Sequence, residues 1–158
     1  MRRIVVLLSA AVVALLLGAP GATAAGTTTT TLVYYETVAP EDVVFIPACT
    51  PGPTNPTCDP RGPGSVLITS GTLSYTQGGP AIGRVTTYCV TTFKYGNDYF
   101  GRCTVTLYTP QGTFVATGEI NESALERFVP QTLNVHRGTL TVQQVVYPNV
   151  FRLTLRLH

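Results

Sequence analysis

The chain has 158 residues, only 11% of them charged, and a formal charge of +2. A chain of this length holds one domain with a single core. Of its ten basic residues, Arg2 and Arg3 open the chain and the other eight match the eight acids; Lys94 is the only lysine. Nucleic acid and anionic membranes call for clustered Lys and Arg, so neither is an expected partner.

Residues 1–24 read as an export signal. Arg2 and Arg3 give the positive start, Ile4 to Leu17 the apolar core, and Ala22-Thr23-Ala24 the small-residue cleavage site. A membrane anchor is the rival, but the apolar run is short, broken by Ser9, and followed by Gly18, Pro20 and Gly21. The expected product is a secreted single β-domain, residues 25–158, free of the membrane after cleavage. Low charge and abundant threonine imply that hydroxyls cover the exposed face of any sheet, a surface suited to self-association or cell-wall contact.

Gly26 to Thr31 is a threonine-rich stub or the lead-in to a strand that begins at Leu32-Val33-Tyr34-Tyr35. Seven prolines between Ala39 and Gly64 remove ladder donors, so residues 39–64 are expected to be irregular, with Val43 to Ile46 pairing briefly. Ser65 to Tyr75 reads as strand interrupted at Gly71. The stretch Val85 to Tyr108 is a hairpin: two runs of β-branched and aromatic residues flank Gly96-Asn97-Asp98. Thr109-Pro110-Gln111-Gly112 is a β-turn that returns Thr113 to Ile120 antiparallel. Asn121 to Phe128 is the one plausible helix, with Asn121 or Ser123 as cap, or else a polar loop. Strands follow at Thr132 to Val135, Thr139 to Val146 and Val150 to Leu157, and the alternation slips at Gln143-Gln144, a bulge signal.

Four cysteines in an exported chain favour two disulfides. Cys49 and Cys58 bracket the Pro-rich loop. Cys89 and Cys103 lie at equal distances from Gly96, so the hairpin sets them opposite each other within bonding range. The CxxC pairs that a zinc site normally needs are absent, and no metal is expected. Seven or eight short antiparallel strands with almost no helix mean an all-β antiparallel barrel of about eight strands or a β-sandwich; periodicity does not choose.

The runs Leu73-Ser74-Tyr75-Thr76-Gln77-Gly78-Gly79-Pro80-Ala81-Ile82-Gly83, Tyr88-Cys89, Tyr99 to Leu107 and Gln111 to Gly118, with the closing Phe151 to Leu155, resemble bacterial members of the dirigent and allene oxide cyclase barrel superfamily. The resemblance implies an eight-stranded barrel with an apolar cavity, often trimeric, that steers cyclisation or coupling of a small apolar molecule without a cofactor. Secretion fits the dirigent branch. The segment before the penultimate strand departs from the family: Asn134 to Arg137 runs directly into Gly138-Thr139, a shortened turn expected at the cavity mouth. No catalytic residue is carried over.

Such a barrel needs an apolar cavity and a few polar groups to fix or protonate the ligand. Glu119, in a strand with Val115 and Thr117 on its face, is the candidate general acid or base; the alternative is a rim carboxylate. Tyr75, Tyr88, Arg102 and Tyr108 are candidates for the pocket wall, though strand aromatics commonly serve packing. His136 and His158 lack the partners of a nucleophile or metal site, and no GxSxG elbow or phosphate loop is present. Three functions remain: a cyclase- or isomerase-like barrel, a non-catalytic ligand carrier, or a surface assembly protein.

Overall fold

The structure, a computed structural model, describes residues 29–158. The export segment expected over residues 1–24 lies outside them. Eight strands run β1 (Thr30–Ile46), β2 (Val66–Ser74), β3 (Gly83–Tyr95), β4 (Asp98–Thr109), β5 (Gly112–Asn121), β6 (Gln131–Val135), β7 (Gly138–Val146) and β8 (Val150–Leu157), with one short helix, α1 (Glu122–Glu126), between β5 and β6. All neighbours are antiparallel, and β1 also pairs with β8, closing a barrel rather than a sandwich. Closure leaves no free sheet edge.

The hairpin forms around Gly96-Asn97, and Cys89 pairs directly with Cys103. A two-residue turn between Tyr95 and Asp98 would by itself set Cys89 against Thr104. A bulge between Thr91 and Phe93 shifts the register by one, and both expected disulfides form, Cys49–Cys58 and Cys89–Cys103. The helix is capped as its sequence implies, with Asn121 Oδ1 accepting from the Ala124 N–H at 2.9 Å. The slip near Gln144 is a bulge too.

The first strand is longer than expected. It does not stop at Ala39 but bends through Ala39 to Asp42, where pairing lapses, and resumes against β2 from Val43 to Ile46. Pro40 sits at this break, where no ladder hydrogen bond is lost. The irregular excursion therefore spans only residues 47–65. Gly71 does not interrupt β2; it lies within a continuous strand, paired with Val38.

The two ends of the barrel differ. One carries the turns at 110–111 and 136–137 and the start of β1, and is packed solid by Tyr34, Leu73, Val85, Leu107, Leu140 and Leu155, all fully buried. Tyr34 reinforces it, donating its hydroxyl hydrogen to Gln111 Oε1 at 2.8 Å. The shortened turn at 136–137 is therefore at the closed end, not at a cavity mouth. The other end carries the excursion, α1 and the turn at 147–149, and there the core gives way to open space.

Candidate ligand cavity

A cavity of about 460 Å³ occupies the open half of the barrel. Its wall is mainly apolar: Val38, Leu67, Val105, Ile120, Leu133, Val142, Phe151 and Leu153, together with the Cys89–Cys103 disulfide. Pro40, Val43, Arg61, Leu125 and the Tyr147 to Asn149 turn form the rim. This volume is in the range of small-molecule sites. Inward residues of a strand alternate with outward ones, so each strand contributes every second side chain.

One of those inward positions holds an acid. In β1, Tyr34, Glu36 and Val38 share the buried face, and Glu36 is only 4% exposed. Its carboxyl makes no side-chain hydrogen bond or ion pair among the described residues. Desolvation therefore acts unopposed and pushes its pKa up to about 8, so the group is largely protonated at neutral pH. Space for it comes from the next strand: a Cβ on Gly71 would stand 2.8 Å from both Cγ and Oε1 of Glu36. A side chain there would force the glutamate to shift, so glycine at 71 leaves the room in which Glu36 lies.

The same device recurs at the mouth. Glu122, the first residue of α1, also lines the cavity, and its carboxyl occupies the space that a Cβ on Gly101 would need. Thr91 donates its hydroxyl to Glu122 Oε1 at 3.2 Å and in turn accepts from Ser65 at 2.8 Å. Burial raises the Glu122 pKa, while the Thr91 hydrogen bond and Arg61 oppose the rise. Beside it, Arg61 of the excursion pairs with Glu126 of α1 at 2.9 Å. The excursion is held down further along by Asp59, which accepts from Lys94 at 2.7 Å and from the Tyr99 hydroxyl at 3.0 Å. Arg61 and Lys94 both lie over the Tyr99 ring, at 4.7 and 4.8 Å from its centre. The stapled excursion is thus a strap across one side of the mouth.

The residues singled out by sequence fall elsewhere. Glu119 shares its face with Val115 and Thr117 as expected, but that face is outward; Ala116 and Ile120 point in. Arg102 stands opposite Glu119 in the ladder and is likewise exposed. Tyr88 is 48% exposed on the outer wall. Tyr75 stacks on Tyr34 and accepts from Gln111 at the closed end, and Tyr108 packs against Arg84 there. None of the five lines the cavity: Glu119 is not placed to act there as acid or base, and Tyr75, Tyr88, Arg102 and Tyr108 do not form its wall but take the packing or outward positions that were their alternatives. Cys89 and Cys103 were expected as a staple and also form part of the wall. Glu36 was missed, although a signal existed: an acid in phase with Tyr34 and Val38 on an otherwise apolar face. Among the described residues no three His, Cys, Asp or Glu side chains cluster as metal ligands would.

No protein family and no curated protein matches the sequence. Solved structures do match in fold. A pyocyanin demethylase superposes with a TM-score of 0.62 at 19% identity, over 80% of this chain and 98% of that one. The Diels Alderase AbmU from Streptomyces koyangensis gives 0.59 at 16% identity, over 82% of this chain and 63% of that one. A nonspecific heme-binding cyclase catalysing a cycloaddition in neoabyssomicin biosynthesis gives 0.58 at 17%, over 83% and 65%. This chain is thus shorter than the two cyclases, and at these identities the likeness establishes the fold. The architecture is that of small barrels among which cyclases and a demethylase are found. Two disulfides fit an extracellular protein. No described helix is long and apolar enough to cross a membrane.

Proposed function

We propose that the protein is a secreted barrel that binds a small apolar molecule and steers its cyclisation or a related rearrangement, with Glu36 as the group that gives and takes a proton. The observation that carries this reading is a carboxyl buried on the wall of a mainly apolar cavity large enough for a ligand, with no side-chain partner among the described residues. A neutral acid in such a place can protonate a developing anion or stabilise it by hydrogen bonding, and the apolar wall holds the substrate in a folded, reactive shape. The likeness in fold to cyclases and the sequence resemblance to dirigent and allene oxide cyclase barrels support it. With one buried acid among neutral polar groups (Thr69, Thr87, Gln144) in a mainly apolar wall, the second reading is a carrier that holds the same kind of ligand without chemistry.

The two are separated by experiment. The neutral fluorophore N-phenyl-1-naphthylamine should bind saturably at one site per chain, and Val105→Trp, which fills the cavity, should abolish binding; unsaturable or unaltered binding overturns both readings. Small molecules extracted from the natively secreted protein and identified by mass spectrometry then serve as substrates. Conversion by the wild type that is lost in Glu36→Gln, with binding retained, supports catalysis. Binding without conversion leaves the carrier.

A further inference from the structure

The ionisable lining of the cavity is one-sided. Its charge-bearing side chains are Glu36, Glu122, Glu126 and Arg61, with no lysine or histidine. Arg61 pairs with Glu126 at 2.9 Å and lies over the Tyr99 ring, so carboxyls outnumber cations three to one in the lining and no cation stands at depth. That leaves two carboxyls, one at depth and one at the mouth. Glu122 retains a single donor, Thr91. Glu36 is 96% buried, aimed into the open space and without a partner of its own.

A buried carboxyl without a partner is costly in its charged form, and the ligand is what can supply the missing partner. An incoming carboxylate would find at depth only the single O–H of protonated Glu36 and no cation beside it, with the carboxyls of Glu122 and Glu126 at the mouth opposing its charge. An incoming ammonium would find the opposite. We propose that the cavity selects lipophilic bases, molecules with an apolar body and a protonated or protonatable nitrogen that pairs with Glu36, and discriminates against lipophilic acids. This rests on the reading of the cavity as a ligand site and narrows what occupies it. When an ammonium enters, Glu36 passes its proton to water; the resulting carboxylate accepts a charge-assisted hydrogen bond from the N–H of the ligand. With a neutral amine, the Glu36 proton moves to the nitrogen and the same ion pair results. Glu122 at the rim draws the cation toward the mouth.

Three ligands of one body and different heads test this: octylamine, octanol and octanoate, each competed against N-phenyl-1-naphthylamine at neutral pH. Octylamine should displace the fluorophore at a concentration about tenfold or more below either of the others, the scale of one charge-assisted hydrogen bond. Glu36→Gln should remove that preference while octanol affinity stays within about twofold, and Glu122→Gln should reduce it less. If octanol or octanoate competes as well as octylamine, the selectivity is refuted and the ligand site stands. Should the amine preference survive in Glu36→Gln, the assignment of Glu36 is refuted. Failure of all three to compete overturns the selectivity and the ligand site together. Melting of each variant, within a few degrees of the wild type, confirms that the fold is intact.

Discussion

A glutamate on the inner wall of a barrel sets its own pH dependence. Glu36 has an ordinary carboxyl pKa of 4.5 when unfolded and about 8 in the barrel, so between these values the folded state binds more protons than the unfolded one. Stability is then full below pH 4.5 and falls as pH rises toward 8. Thermal melting from pH 5 to pH 8.5 should show a declining melting temperature, and Glu36→Gln should flatten the decline; an unchanged slope would place its cause elsewhere. Gly71 belongs to the same unit. Gly71→Ala should destabilise by about 1–3 kcal/mol through overpacking against Glu36, measured by urea unfolding. Glu36→Ala in the same chain should recover part of that loss, because the crowded atoms are gone, whereas strict additivity would show that the two positions do not interact.

At the scale of elements, a cap and a strap hold the open end. Asn121→Ala removes the acceptor for the Ala124 N–H and should cost about 0.5–2 kcal/mol, a difference readable in denaturant midpoints. Arg61→Ala should hardly move stability, since an exposed ion pair contributes about 0–1 kcal/mol, but it should speed release of a bound fluorophore in stopped flow by loosening the strap from α1. An unchanged release rate would mean that ligands leave by another side. Elements were largely legible in the sequence because turn residues and alternation are local signals: the hairpin, the Pro110 turn, the NESALERF helix and the bulge near Gln144 all stand where those signals put them. What was not legible was which face of each strand looks inward. In β5, Val115, Thr117 and Glu119 alternate with Ala116, Gly118 and Ile120, and the side with the larger chemistry turned out to be the outer one. The reason is solvent: the inner face closes on the core and takes apolar side chains of every size, from Ala116 to Leu107, while most threonines, tyrosines and charges face out. The continuation of β1 past Pro40 was equally hidden, since proline statistics oppose strand and only the lapse in pairing at the bend accommodates it.

At the scale of the molecule, one end is packed solid and the other is hollow, and the two disulfides divide between wall and strap. Cys89–Cys103 joins adjacent strands inside the barrel, with both residues buried. Cys49–Cys58 closes a short loop at the surface of the excursion. Replacing the first pair by serines should lower the melting temperature sharply, through loss of about 3 kcal/mol of cross-link in the chain-entropy model plus the burial of two hydroxyls in the place of sulfur. Replacing the second should leave barrel melting closer to the wild type while weakening retention of the fluorophore, because that staple shapes the strap and not the wall. Equal thermal losses for both pairs would mean that strap and wall unfold as one unit.

The partnership of each cavity acid with a missing side chain makes the two positions of each pair interdependent. A side chain at Gly71 would force Glu36 to shift from its place in the wall, as one at Gly101 would force Glu122. Two glycine–glutamate pairs, Gly71 with Glu36 across β1 and β2 and Gly101 of β4 with Glu122 at the start of α1, therefore make a fingerprint independent of overall identity. It provides a way to gather kindred barrels by wall chemistry where alignment of whole chains no longer finds them.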